Sequence, residues 1–150
     1  ATGVSVVTTD GPAGRFGLTV SAVSSVSAEP PLVLVCINRK SPAVAALETN
    51  GVFAVNLLAA HHQAYAETFS GRPREGNPFD FANHDWREGD TGLPLVTDAT
   101  AVFECAMHDR LDAGTHRIFI GRVLAAHRGQ PDPLVYCNRA FRRILPHEGH

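Results

Sequence analysis

The chain is poor in everything that announces a nucleic-acid or membrane partner. Lys and Arg number 13 against 15 Asp and Glu, a formal net charge of −2, so it offers no basic face of the kind a phosphate backbone demands. No apolar run approaches the roughly 20 residues that cross a bilayer as a helix. No signal-like segment stands ahead of Ala1, and the expectation is a cytoplasmic protein. Only three cysteines occur, Cys36, Cys105 and Cys137. They are odd in number, far apart and set in apolar stretches, which predicts reduced, buried thiols rather than a disulfide framework. The eight histidines have no ligand spacing: there is no His-Glu-x-x-His, no cysteine pair, and His61 and His62 are adjacent and so point apart. No metal site is expected.

The common catalytic signatures are missing as well. There is no Gly-x-Gly-x-x-Gly and no P-loop, and the serines between Val20 and Ser27 sit in no Gly-x-Ser-x-Gly elbow. Cys36 lies inside an apolar strand, unsuited to a nucleophile that needs an adjacent base. Asp and Glu scatter through loops, which speaks against a carboxylate pair. A nucleotide bound here must be held by other means.

What is present centres on Gly17 to Ser41. Small residues come first, followed by a turn at Glu29-Pro30-Pro31 and the apolar run Leu32–Ile37, a buried strand by length and β-branching. Asn38-Arg39-Lys40-Ser41-Pro42 then combines two cations with a helix start. Ser41 suits an N-cap and Pro42 the first turn, so the spacing predicts a helix over Ala43–Asn50 that ends at Gly51. Free amides at that N-terminus, with Arg39 and Lys40, would attract a phosphate; a plain capped helix beside a solvated corner is the alternative.

Around this stretch the pattern is mostly strand. Val4–Thr9, Gly17–Ser25, Leu32–Ile37, Val52–Leu58, Ala101–His108, His116–His127 and Leu134–Cys137 read as strands, and His62–Phe69 as a helix. Between Arg72 and Gly92, Pro, Gly, Asn and charge dominate, broken by Phe79, Phe81 and Trp86. That is a docked excursion rather than a linker. A chain of 150 residues suits one domain, spanning 1–150, that buries roughly 70% of its unfolded surface. Without βα alternation, a mainly β fold follows: an antiparallel barrel, closed on itself, with short helices plugging its ends. Asp112-Ala113-Gly114-Thr115 is a tight turn that puts His116 at a strand mouth. A histidine there can hydrogen-bond or move a proton near neutral pH, or simply face water.

Several stretches in order, Thr2-Gly3-Val4, Gly17 to Val23, Pro30-Pro31, Cys36 to Ser41, Asn50-Gly51, Val55-Asn56, Gly114-Thr115-His116 and Pro133 to Tyr136, resemble the short flavin reductase family. These are split-barrel reductase components of two-component flavin monooxygenases, and the likeness is greatest to those serving hydroxyphenylacetate or chlorophenol monooxygenases. The resemblance implies a split β-barrel and a homodimer. It also implies an NAD(P)H:flavin oxidoreductase that reduces FAD or FMN with NADH or NADPH and supplies a partner monooxygenase. By position, Gly17, Leu18, Thr19, Val20, Ser21 and Ala22 line the flavin edge, largely through backbone. Cys36, Ile37 and Asn38 flank the ring and ribityl chain, and Arg39, Lys40 and Ser41 meet the phosphate. Asn56, Tyr136 and Arg139 complete the cofactor-binding set, and His116 is the catalytic candidate near the nicotinamide. Two departures stand out. The helix that the family carries ahead of Thr2-Gly3-Val4 is not among these residues, and Asn77-Pro78-Phe79-Asp80-Phe81 replaces the family's basic-aromatic pair after the second helix. A split-barrel protein that retains its flavin and reduces another acceptor, and a non-catalytic flavin-binding module, remain the alternatives.

Overall fold

The computed structural model describes residues 1–149. Its strands are β1 (Thr2–Gly3), β2 (Ser5–Thr9), β3 (Phe16–Val20), β4 (Val23–Ala28), β5 (Pro31–Asn38), β6 (Val52–Leu57), β7 (Trp86–Glu88), β8 (Pro94–Val96), β9 (Ala101–Ala113), β10 (His116–Arg128), β11 (Leu134–Cys137) and β12 (Ala140–Arg143). Two helices accompany them, α1 (Ala43–Asn50) and α2 (Gln63–Phe69), the second entered through a 3₁₀ turn at Ala60–His62. The predicted bounds of α1 hold, and Gly51 follows it at φ 70° with its amide on the Leu47 carbonyl, a left-handed stop that glycine adopts without a Cβ penalty.

Seven strands form the main antiparallel sheet, in the order β3-β2-β6-β9-β10-β5-β4. The expectation of a closed barrel is corrected here. β3 and β4 are consecutive in the chain yet lie at opposite ends of the strand order, so the barrel is split rather than laddered shut. The expected continuous strand over Gly17–Ser25 fails for the same reason. The chain turns a corner at Ser21-Ala22, where the Val23 amide donates to the Ser21 carbonyl at 3.2 Å and the Cys36 amide to the Ala22 carbonyl at 3.1 Å. Residues this small can turn so sharply beside a neighbouring strand without a clash, and periodicity gives no warning of it.

β2 and β6 are buried almost throughout because each supplies both faces of the sheet. Val6 and Ala54 turn to one cluster, with Leu58, Tyr65, Phe69, Leu95 and Leu134. Val7, Phe53 and Val55 turn to the other, with Val35, Ile37, Leu47 and Phe119 inside the split barrel. The first cluster lies under α2 and the 72–92 excursion, whose Phe81 and Trp86 dock on it as the sequence predicts, whereas Phe79, expected to dock with them, stays exposed. The thiols are all free, but only Cys105 is buried, and burial pushes it up to about 12; Cys36 and Cys137 are half-buried, short of the expectation.

β9 runs on to Ala113, well past the expected end at His108. Asp109, Arg110 and Asp112 are exposed, and polar residues on a protruding ladder carry no apolar alternation to read. Among the described residues, no helix is long and apolar enough to cross a membrane.

Candidate functional site

Two clefts open along β3. The larger, of about 470 Å³, is lined by Thr19, Val20 and Ser21 of the β3 end, by Glu67, Ser70 and Arg72 of α2 and the residues after it, and by Tyr136 and Phe141 of β11 and β12. The smaller, of about 300 Å³, holds Gly17, Leu18 and Ser41 together with Arg15 and Phe79. Thr19 fixes β3 against α2 by donating its hydroxyl to the Ala66 carbonyl at 2.8 Å. Gly17 is required there: a Cβ would come within 2.8 Å of the Phe69 ring and 3.1 Å of Phe81. Its absence lets α2 and the excursion sit close enough to wall the larger cleft.

Most of the expected ring-side residues offer backbone and little side chain. Val20 is 7% exposed and Ile37 1%, and Leu18 packs on the barrel interior. Ser21 and Ala22 are exposed. Their carbonyls are engaged at the corner, and among the described residues neither amide has an acceptor within the protein. A rim of free amides beside an apolar cleft fits a flat, polar-edged ring. Tyr136, 39% exposed, meets Phe141 edge-on at 5.2 Å. Phe141, Glu67 and Ser70 were not found from the sequence, where nothing local shows that α2 and the residues after β11 line one cleft.

At the phosphate-side corner, the Asn38 carbonyl accepts from the Ser41 amide at 3.0 Å and its side chain from the Lys40 amide at 2.9 Å, forming a tight turn. The Ser41 hydroxyl accepts from the Ala43 amide at 3.2 Å in the turn that leads into α1, whose N-cap position is Pro42 rather than the expected Ser41. Lys40 is exposed. Arg39 is already engaged: its Nε lies 3.4 Å from Asp112, its Nη1 reaches the Gly114 carbonyl at 3.4 Å, and its amide donates to the Thr115 carbonyl at 2.9 Å. Asp112 also takes a two-point bond from Arg117 at 2.6 and 3.2 Å, and Glu48 on α1 accepts from Arg117 and lies 3.4 Å from Arg110. Arg117 holds the Asp112 carboxyl below its ordinary range, and Asp112 with Glu48 raises the guanidinium in turn. The corner therefore carries less free positive charge than its sequence suggests.

His116 is exposed at the mouth of β10, opposite Asn38 on β5. Its Nδ1 lies 2.9 Å from the Thr115 hydroxyl. It lines neither cleft along β3. Two residues expected to hold the cofactor sit apart from the clefts along β3. Asn56 is fully buried: its amide donates to the Val6 carbonyl at 2.9 Å and to the Thr8 hydroxyl at 3.1 Å, and its oxygen accepts from the Val96 amide at 2.9 Å. It staples the sheet and reaches no cleft. Arg139 lies in the turn between β11 and β12 rather than on a strand, with Asn138 and Arg139 at φ 53° and 61°, the geometry of a two-residue hairpin loop.

Away from these clefts, Asp90, Glu104 and His127 bring ligand atoms within 4.8 Å of one another. The fully buried Glu104 is already saturated. It accepts from the amides of Asp90 and Thr91 at 3.2 and 3.0 Å and from the Thr91 hydroxyl at 2.5 Å, and His127 Nε2 lies 2.6 Å away.

A split barrel with a backbone-rimmed cleft is the architecture of flavin-handling oxidoreductases, and the comparisons agree. The model of the flavin reductase like domain matches residues 1–145, and the chain belongs to that family. It is 44% identical over 149 residues to an FMN reductase (NADH), RutF, of Variovorax paradoxus, covering 96% of this chain and 81% of that protein. Among solved structures, it is similar to BorF, the flavin reductase component of a bacterial two-component tryptophan halogenase: 39% identity, TM-score 0.85, covering 97% of this chain and 92% of that one. It is also similar to the NADH:FAD oxidoreductase SgcE6 of Streptomyces globisporus in complex with NAD and FAD fragments, at 35% identity and TM-score 0.87, over 98% of this chain and 87% of that one. The protein is thus an oxidoreductase of the flavin reductase family.

Proposed function

We propose that the protein moves hydride from NADH or NADPH to FAD or FMN as an exchangeable substrate, and that the reduced flavin serves a separate flavin-dependent monooxygenase. The match of the flavin reductase like domain to residues 1–145 carries this reading. The likeness to BorF, named as one half of a two-component system, supports the division of labour.

Flavin, when bound, supplies the redox chemistry, so the protein needs no nucleophile. Its own residues bind and orient. The amides of Ser21 and Ala22 meet the polar edge of the ring, with Thr19 holding β3 in place. The backbone of Cys36 and Ile37 flanks the ring and ribityl chain. Asn38, Lys40 and Ser41 take the phosphate, with Arg39 sharing its charge between that phosphate and Asp112. Tyr136 closes the larger cleft, and His116 orients the nicotinamide. The active form is a homodimer.

The test is oxidation of NADH and of NADPH by the purified protein, each with and without added FAD or FMN. Turnover that saturates with added flavin is expected. Flavin binding without turnover would point to a non-catalytic module, and yellow colour that survives dialysis to a retained flavin with another acceptor.

A further inference from the structure

We propose that Lys40 is a site of acylation by acyl phosphates, and that its acylation weakens the hold on the flavin phosphate. The proposal rests on the flavin reading above and concerns its regulation.

The corner between β5 and α1 has one free source of positive charge. Its backbone amides are engaged. Those of Arg39, Lys40 and Ser41 donate to the Thr115 carbonyl, the Asn38 side chain and the Asn38 carbonyl at 2.9, 2.9 and 3.0 Å. Those of Ala43 and Val44 donate to the hydroxyl and the carbonyl of Ser41, both at 3.2 Å, and proline at position 42 has no amide hydrogen. The free amides expected at the start of α1 are therefore not on offer. The guanidinium groups are engaged as well: Arg39 and Arg117 face Asp112, and Arg117 and Arg110 face Glu48. Lys40 is exposed, and among the described residues it enters no ion pair. Capture of a phosphate here depends on one ammonium group.

Lys40 is also chemically singular. Of the 13 Lys and Arg in the chain it is the single lysine, all the others being arginine. Arginine stays protonated in proteins and offers no nucleophile, whereas a lysine amine does. An acyl phosphate carries the anion this corner attracts, with an electrophilic carbonyl directly bonded to a phosphate oxygen. A phosphate drawn to Lys40 thus brings its acyl carbon beside the amine. The neutral amine attacks that carbon, a C–N bond forms, and the bond from the carbon to the phosphate oxygen breaks. Inorganic phosphate leaves with the electron pair, and the proton shed by nitrogen goes to solvent. The product is an amide without charge. Arg39, shared with Asp112, replaces the lost cation only in part.

Acetyl phosphate is the probe. Peptide mass mapping follows acetylation of Lys40 in the purified protein, and flavin fluorescence gives the affinities for FMN and riboflavin before and after treatment. Lys40 should react about tenfold faster than free Nα-acetyl-lysine, because the phosphate is held beside the amine. FMN or inorganic phosphate should suppress the reaction, and riboflavin, which has the ring without the phosphate, should not. The acetylated protein should bind FMN about tenfold more weakly, the lower end for loss of one charged hydrogen-bond donor, and riboflavin as before. Lys40→Gln should reproduce that loss without treatment. Lys40→Arg has no amine to acylate, and its FMN affinity should be the same before and after acetyl phosphate. Acetylation no faster than that of the free amino acid, no protection by FMN, or FMN affinity unchanged in the acetylated protein would each overturn the proposal and leave the flavin reading intact. If the untreated protein binds neither flavin, both readings fall.

Discussion

Asn38 and His116 are register partners on the last rung of the β5–β10 ladder. The expected phosphate stretch and the expected nicotinamide residue, 78 positions apart by their numbers, therefore share one end of the sheet. His116 stands outside both β3 clefts, which separates its role from flavin binding. His116→Ala should lower kcat/KM for nicotinamide oxidation by about 100-fold, the lower end of the range for loss of a positioned polar group. Flavin affinity should stay within about twofold, because no cleft-lining side chain changes. Steady-state kinetics beside a flavin titration reads both. Equal loss of flavin affinity with no kinetic effect would remove His116 from the reaction.

The turn that carries His116 is held from outside. Asp112 bridges Arg39 and Arg117, and Glu48 ties Arg117 and Arg110 to α1. All are surface pairs, weak singly and screened by salt, but they converge on one hairpin tip. Asp112→Asn should lower turnover by about fivefold, a smaller loss than that of His116→Ala because the histidine remains, without weakening flavin affinity, since it releases Arg39 toward the phosphate. Raising the salt to about 1 M, where the screening length is about 3 Å, should slow the wild type toward the variant and affect the variant less. Salt dependence unchanged by Asp112→Asn would show that the network does not position the tip.

What the sequence revealed and concealed divides along physical lines. The α1 bounds, the buried run of β5 and the docked aromatics at Phe81 and Trp86 follow from local chemistry, and local chemistry is legible. The Ser21-Ala22 corner is not, since residues that suit a strand also suit a sharp turn. Nor is the fate of Asn56, whose place between Val55 and Leu57 marks it as polar in a buried strand without saying which partner satisfies it. Arg39 looked like a free cation because Asp112 is 73 positions away by their numbers. Residue type survives in the sequence; the pairing that decides whether a charge is available is created by the fold.

Asn56 gives a stability prediction that its earlier assignment would not. Its three hydrogen bonds join β2, β6 and the Val96 amide of β8 inside the core. Asn56→Ala leaves buried polar groups without partners and should destabilise the fold by about 2–4 kcal/mol. Flavin affinity measured on the folded fraction should be unchanged. Denaturant unfolding gives the first quantity and a titration at low temperature the second. A selective loss of flavin binding with stability intact would return Asn56 to the site.

Two buried groups predict a stepped response to acid. His62 is 3% exposed, and its Nδ1 accepts from the Ala59 amide at 3.0 Å. Burial, with the neighbouring His61, lowers it from 6.5 to about 4. The unfolded chain therefore takes a proton at a pH where the folded chain refuses it, and stability falls as pH drops from 6.5 toward 4. Burial alone would raise Glu104, but hydrogen bonds from Thr91, His127 and the Asp90 amide outweigh it and bring the carboxyl from 4.5 to about 2. Its contribution is complete above 4.5 and is lost as pH falls toward 2, below the histidine window. Thermal unfolding should show Tm declining by about 5 °C between pH 7 and pH 4.5, and more steeply below that. His62→Asn keeps an acceptor near the Ala59 amide and removes the titrating ring, so it should flatten the upper step and leave the lower one. Glu104→Gln should do the reverse. A wild-type Tm constant from pH 7 to pH 4.5 would show that His62 is protonated in the folded state without cost, and its burial would then have no bearing on acid stability.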